Sequence, residues 1–200
     1  MKIAIDLNDV LRDYTRNFAK YYKQGKDRTF DMSTLEELST NNMFELFPFK
    51  SVEEYHKFIY EDYSWELYGK CETSTRTLTS DFKNWLTKTI LNIDTEEPIE
   101  VMIVSPMEYG LSIPSSYFFL SKLGMPVREV YFPSDSSEIW EQCDVLITAN
   151  PSLLDRKPNN KKSIRIEMDY NKDSSYDYTY DTISEFFSEQ INTERLLKNE

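Results

Sequence analysis

A three-layer α/β/α fold with a parallel sheet is what the sequence predicts, on three observations. Short apolar runs at 3–5, 99–105, 128–132, 144–149 and 163–168 read as strands. Stretches with apolar residues at helical spacing separate them. The strands are near-continuous in apolar residues rather than alternating, which suits strands buried on both faces. Right-handed crossovers then bring every strand's C-terminal end to one edge. That edge collects Asp6, Asn8, Ser105, Thr148 and Asn150, and in open sheets of this kind ligands bind at such an edge.

Taken in order, Ile3, Ala4 and Ile5 form the first strand and Asp6 to Asp9 its C-terminal turn. Val10, Leu11, Tyr14, Phe18, Tyr21 and Tyr22 then recur at helical spacing. Gly25 to Arg28 make a polar break. The next stretch, to about residue 75, is rich in aromatics and acids and holds no clear strand. Ser33 with Glu36, and Ser51 with Glu54, fit capping boxes. Tyr55, Phe58, Ile59 and Tyr63 continue the second at helical spacing. We read 25–75 as a small helical insert, and 1–24 with 76–200 as the α/β core. Ser80 and Asp81 open a helix carrying Phe82, Trp85, Leu86 and Ile90; Asn92 to Pro98 form a polar turn. Ile99-Glu-Val-Met-Ile-Val-Ser105 is a central strand stopped by Pro106. Ser115 to Leu123 form a helix ended by Gly124, with Pro126 beyond. Arg128 to Phe132 is a strand, Ser137 to Cys143 a short helix, and Asp144 to Ala149 a strand. Asn150, Pro151 and the basic stretch around Lys157, Lys161 and Lys162 read as a loop. Ser163 to Met168 is the last core strand, and Ile183, Phe186, Phe187 and Ile191 mark a C-terminal helix.

Composition bounds the function. The chain has 200 residues, 40 % of them hydrophobic and 14 % aromatic, enough for one core with an insert. Lys and Arg number 23 against 35 Asp and Glu, a formal charge of −12. So acidic a chain is not steered toward a nucleic-acid polymer, although a local positive pocket could still hold a small phosphorylated ligand. No run approaches the roughly 18 apolar residues of a membrane span. Asp6 interrupts the apolar N-terminus, which argues against a signal peptide. Cys71 and Cys143 are isolated thiols with neither metal-ligand nor disulfide spacing, which suits a reduced cytoplasm. The lone His56, without a partner at any telling spacing, reads as a surface or interfacial residue.

The stretch Asp6-Leu7-Asn8-Asp9-Val10-Leu11-Arg12-Asp13-Tyr14 resembles the first motif of the haloacid dehalogenase superfamily. The nearest match is its 5′(3′)-deoxyribonucleotidase-like branch, whose pattern is Asp-x-Asp-Gly-Val-Leu-x-Asp-Phe. The resemblance implies a Rossmann-like core with a helical cap inserted after the first helix. It makes Asp6 the nucleophile and Asn8 the acid/base position, with the Asn8 carbonyl toward Mg²⁺. Val101-Met-Ile-Val-Ser105 looks like the second motif, in which Ser105 binds phosphate. Asp144-Val-Leu-Ile-Thr-Ala-Asn-Pro151 is similar to the fourth, Asp-x-Leu-Ile-Asp-Asp-x-Pro, and puts Thr148 and Ala149 at the metal-acid positions. Met168-Asp-Tyr-Asn171 and Tyr180 to Phe186 resemble the last strand, Tyr-Asn turn and helix. The motif Lys should lie just before the fourth strand, but Ser134 to Trp140 hold no Lys or Arg; Lys122 and Arg128 are the nearest basic residues.

The frame is therefore kept and the chemistry is depleted. Asn8 cannot give and take a proton as a carboxylate does. Thr148 and Ala149 offer no carboxylate, and Mg²⁺ wants one or two. Asp9 remains nearby, and Asp135 or Asp169 would reach only by an unusual path. Three readings follow. In the first the protein has lost phosphatase activity, uses no cofactor, and binds a small phosphorylated molecule or a protein partner. In the second it is a phosphomonoester hydrolase with Asp6 as nucleophile and Mg²⁺ in a rearranged site, Asp9 taking the proton work and Lys161 or Lys162 the charge. In the third it keeps Asp6 without a metal, as the dehalogenase branch does. The weight falls on the first, because the site constellation is incomplete.

Overall fold

A computed structural model describes residues 1–91, 99–125 and 127–189. The expected turn from Asn92 to Pro98, Pro126 and Ile191 lie outside the described residues, as does the side chain of Ile90. Six parallel strands form one sheet in the order β3-β2-β1-β4-β5-β6. They are β1 (Lys2–Asp6), β2 (Glu100–Val104), β3 (Glu129–Tyr131), β4 (Val145–Thr148), β5 (Lys162–Ile166) and β6 (Tyr178–Tyr180). The first strand lies inside the sheet, between β2 and β4. Asp6 pairs in register with Val104, so Ser105 follows directly beside Leu7.

Alternate residues of the inner strands feed two separate cores. Ile3, Ile5, Ile103, Val145 and Ile147 point to one face, and Ala4, Met102, Val104 and Leu146 to the other. This is the period of two expected of a strand, with both faces apolar. Helices α4 (Leu78–Leu91), α5 (Ser112–Leu123) and α8 (Ile183–Ser188) cover the first face through Phe82, Trp85, Phe119, Phe186 and their neighbours. Helices α6 (Ile139–Gln142) and α7 (Pro151–Asp155) cover the second through Ile139, Trp140 and Leu153. Among the described residues no helix is long and apolar enough to cross a membrane.

A third, aromatic cluster lies outside these two. Helix α1 (Tyr14–Gly25) contributes Tyr14, Phe18, Ala19 and Tyr22 to it. The short helices α2 (Met43–Leu46) and α3 (Val52–Lys57) and the π-helical turns Phe58–Asp62 and Trp65–Gly69 follow, and Met43, Phe47, Phe58, Ile59, Leu67 and Tyr68 complete it. So α1 packs with the insert. Two strips, 11–13 and 72–74, join the cluster to the sheet side by side. The Asp13 amide donates to the Glu72 carbonyl at 3.0 Å, and the Ser74 amide to the Leu11 carbonyl at 3.0 Å. The insert reaches over the strand-end edge: the Tyr60 hydroxyl donates to the Met107 carbonyl at 2.6 Å, just past β2.

Several elements differ from the sequence reading. Ser163–Met168 is not the last strand, because Tyr178–Tyr180 adds β6; three residues are too short for a periodic run to stand out. Part of the expected loop after β4 is helix α7, with the Asn150 side chain accepting from the Ser152 amide at 3.0 Å and Pro151 in the first turn. Ser33 does not cap a helix. Asp31 does, by accepting from the Ser33 amide, and the element is a 3-10 helix, Met32–Glu37. The Ser51 cap forms as expected, by accepting from the Glu54 amide at 3.2 Å, but the helix it opens changes hydrogen-bond pattern at Phe58. Helices α4 and α5 start earlier than Ser80 and Ser115.

Gly124 ends α5 with φ 57°, the left-handed conformation that costs any residue with a Cβ. A Cβ there would meet only Lys83 Nζ at 3.7 Å, an ordinary contact. Gly124→Ala should therefore lower stability by about 1 kcal/mol through the backbone alone. Urea denaturation reads it, and an unchanged midpoint would show that the helix end is not held there.

Candidate functional site

The turn after β1 is closed tightly on itself. The Leu7 carbonyl accepts from the Leu11 amide at 3.1 Å and the Arg12 amide at 3.0 Å, and the Asp9 amide donates to the Arg12 carbonyl at 2.9 Å. Asp9 carries the strain of the turn at φ 56°, where the resembled pattern has glycine. Asp tolerates this region better than most residues. Its buried carboxylate is engaged: Oδ1 accepts from the Thr15 amide at 2.8 Å, and Oδ2 from the Thr15 hydroxyl at 2.5 Å and the Tyr170 hydroxyl at 2.8 Å. Asp9 thus ties the turn to the start of α1 and to the loop after β5, and has no free oxygen for proton work.

Asp6 ends β1 with 2 % of its surface exposed. Oδ2 accepts from the Thr148 hydroxyl at 2.7 Å. Oδ1 is buried with no hydrogen-bond partner among the described residues. Burial pushes the carboxyl up to about 7; the Thr148 hydroxyl, the Asn8 and Leu7 amides and Arg12 oppose it only in part. Thr148 also accepts from the Asn150 amide at 3.0 Å. Ala149 is buried, and its carbonyl accepts from Asn171 Nδ2 at 2.8 Å. The same Nδ2 reaches the Ile166 carbonyl at 2.9 Å, so Asn171 links the ends of β4 and β5.

Beside this pair lies a fully buried ion pair that the sequence reading missed. Arg12 and Glu108 bond directly, with their side chains 0 % and 2 % exposed. Arg12 Nε donates to Asn8 Oδ1 at 2.7 Å, and Nη1 to Ser116 Oγ at 2.6 Å. The guanidinium lies 4.8 Å from the centroid of the Tyr68 ring. Burial alone would lower the Arg12 pKa, but Glu108, with smaller help from Cys71 and Tyr68, more than reverses it and leaves it raised. The Ser105 hydroxyl donates to Glu108 Oε1 at 2.6 Å and the Ser116 hydroxyl to Oε2 at 2.6 Å. Arg12 stood inside the quoted motif, at a position where the pattern accepts any residue. Glu108 and Ser116 lie beyond any motif, and no spacing marked them.

The structure brings Asp6, Asn8, Ser105, Thr148 and Ala149 to one edge. It does not bring the basic candidates there. Lys161 pairs with Asp144 at 3.2 Å, and Lys162 begins β5. Both sit toward the strands' N-terminal end, three to four residues back from the level of Asp6, roughly 10–13 Å along the strand direction at about 3.3 Å per residue. Lys122 donates to the Cys71 carbonyl at 3.1 Å, and Arg128 is exposed near β3. Asp135 caps the 3-10 turn before α6, and Asp169 pairs with Lys172 at 2.5 Å. His56 is exposed against Tyr55, Tyr60 and Tyr109. Among the described residues, Arg12 is the cation that reaches Asn8 and Ser105, and its charge is matched by Glu108; Arg165, opposite Thr148 on β5, pairs with Glu167 at 2.9 Å.

No protein-family model matches the chain, and no curated protein matches it. Its backbone superimposes on a solved structure described as a haloacid dehalogenase-like hydrolase, from Burkholderia xenovorans, with a TM-score of 0.60. The match covers 96 % of each chain at 8 % identity. The fold is haloacid dehalogenase-like. On that fold the family resemblance implies Mg²⁺ at the end of β1, and the residues present do not fit it. Asp6 Oδ1 is one oxygen without a partner, but Thr148 presents a donor where an acid would stand, and Asn8 Oδ1 already accepts from Arg12. Among the described residues no three His, Cys, Asp or Glu side chains are grouped to hold a metal ion.

Proposed function

We propose that the protein is a deoxyribonucleotidase-type relative on this fold that has lost phosphatase chemistry and acts by binding a small phosphorylated molecule or a protein partner, without a cofactor. The observation that carries this reading is the hydrogen bond from Thr148 to Asp6. Two carboxylates at these positions would repel and call for a cation. A hydroxyl and a carboxyl satisfy each other and call for none. Asp6, titrating near neutrality, is also a poorer nucleophile than a fully ionised carboxylate. While Glu108 occupies Arg12, as it does in this structure, a phosphate dianion beside Asp6 would meet no uncompensated positive charge. We take the cap to be the 25–75 insert acting together with α1, since the two share one aromatic cluster.

A second reading, phosphomonoester hydrolysis by Asp6, is favoured by one observation, the unpartnered Oδ1. Hydrolysis of a generic aryl phosphate, with and without Mg²⁺, separates the two. Background turnover in both conditions is expected. The combined change Asn8→Asp, Thr148→Asp and Ala149→Asp should raise Mg²⁺ affinity, because it supplies carboxylates; it should raise turnover only slightly, because no basic residue is added. Metal-dependent turnover in the wild type that disappears in Asp6→Asn would overturn the binding reading in favour of the hydrolase.

A further inference from the structure

The loop between β2 and α5 is built inside out. Met107, Tyr109 and Leu111 are 58 %, 47 % and 57 % exposed, while Glu108 among them is 5 % exposed. Apolar residues outside and a carboxylate inside reverse the usual partition. Two left-handed residues, Met107 at φ 63° and Gly110 at φ 61°, frame the arrangement, and the first is strained for a side chain with a Cβ. What holds Glu108 inside is a set of donors from three elements. Ser105 at the end of β2, Ser116 on α5 and Arg12 from the turn after β1 all reach its two oxygens. Arg12 Nη2 also lies 3.5 Å from Ser105 Oγ, so the donors converge on one small volume. A guanidinium and two hydroxyls aimed at one point make an oxyanion site.

We propose that Arg12, Ser105 and Ser116 form an anion-binding cradle in which Glu108 is a built-in competitor, and that a phosphate-bearing small molecule binds by displacing Glu108 together with its loop. The inference names a ligand class and a gate for the binding role proposed above and rests on that reading. Its test reads binding alone, so turnover or its absence leaves the result standing. A carboxylate and a phosphate present similar acceptor oxygens, and the dianion offers one more charge to Arg12. The gate is also tied to the cap, since Tyr60 donates to the Met107 carbonyl and its ring lies 3.8 Å from that of Tyr109, centroid to centroid.

The experiment is thermal unfolding of the full chain in inorganic phosphate, in phenyl phosphate and in chloride at matched ionic strength. Glu108→Ala empties the cradle, so phosphate should raise its Tm by several degrees over chloride, in a concentration-dependent way. The wild type should gain far less. A larger gain with phenyl phosphate points to an ester as the ligand, and an equal gain to the phosphate group alone. If Glu108→Ala does not fold, Glu108→Gln, which keeps the size and loses the charge, takes the same comparison. A gain no larger than that of the wild type overturns the proposal. So does an undiminished gain in Arg12→Met/Glu108→Leu, which would place the anion elsewhere.

Discussion

Arg12→Ala is expected to destabilise the protein by about 3–5 kcal/mol, the range for leaving one member of a buried ion pair behind. Glu108 would keep its place with only two hydroxyl donors in a site where its side chain is 2 % exposed. The Tyr68 carbonyl, 3.4 Å from Nη1, would lose its donor as well, and the Tyr68 ring its cation. Since a domain of this size has about 5–15 kcal/mol of stability in all, the variant should fold only marginally. Replacing both charges with apolar residues of similar size, as in Arg12→Met/Glu108→Leu, should cost much less than either single change, because no uncompensated charge remains. Urea denaturation of the two single variants and the double variant measures the coupling. Additive losses would mean that the two side chains do not depend on one another.

Wild-type stability should fall as pH rises from about 4 to about 7, and Asp6→Asn should abolish that component. The Asp6 carboxyl titrates at 3.8 in an ordinary setting and at about 7 in the fold, because burial penalises its charge. The folded protein therefore binds this proton more tightly than the unfolded chain. The stabilisation is complete below about 3.8 and is lost as pH climbs through about 7. At about 1.4 kcal/mol per pH unit the whole span amounts to roughly 4 kcal/mol. Asparagine carries no proton to lose, so the variant's stability relative to the wild type should rise between pH 4 and pH 8. Its Nδ2 would occupy the buried place of the unpartnered oxygen, a cost that does not vary with pH. A difference between the two proteins that is flat across this range would show that Asp6 stays ionised.

Much of the frame is legible in the residues themselves. The apolar runs around Ile3, Ile103 and Ile147 report a strand buried on both faces, because only such a strand can be apolar at every position. Gly124 and Ser51 mark helix ends through backbone conformation and side-chain capping, and both effects act within a few residues. Asp6, Ser105 and Thr148 could be placed on one edge because parallel strands with right-handed crossovers align their ends. Short or capped-in-place elements escaped this reading. Tyr178–Tyr180 is too brief to show a period, and α7 exists because Asn150 turns its side chain onto the Ser152 amide.

The sequence by itself determined the sheet, the position of Asp6 at its edge, and the absence of carboxylates at Thr148 and Ala149. Those are matters of residue type and local spacing, which a chain carries wherever it goes. Only the tertiary structure decided which partners these residues meet. Arg12 and Glu108 lie 96 residues apart, and Asp6 and Thr148 lie 142 apart. No short-range pattern encodes such a meeting. It is fixed by which side chains the packed sheet turns into the same water-excluded volume, where each charge or hydroxyl left unmatched would cost far more than it does in solvent.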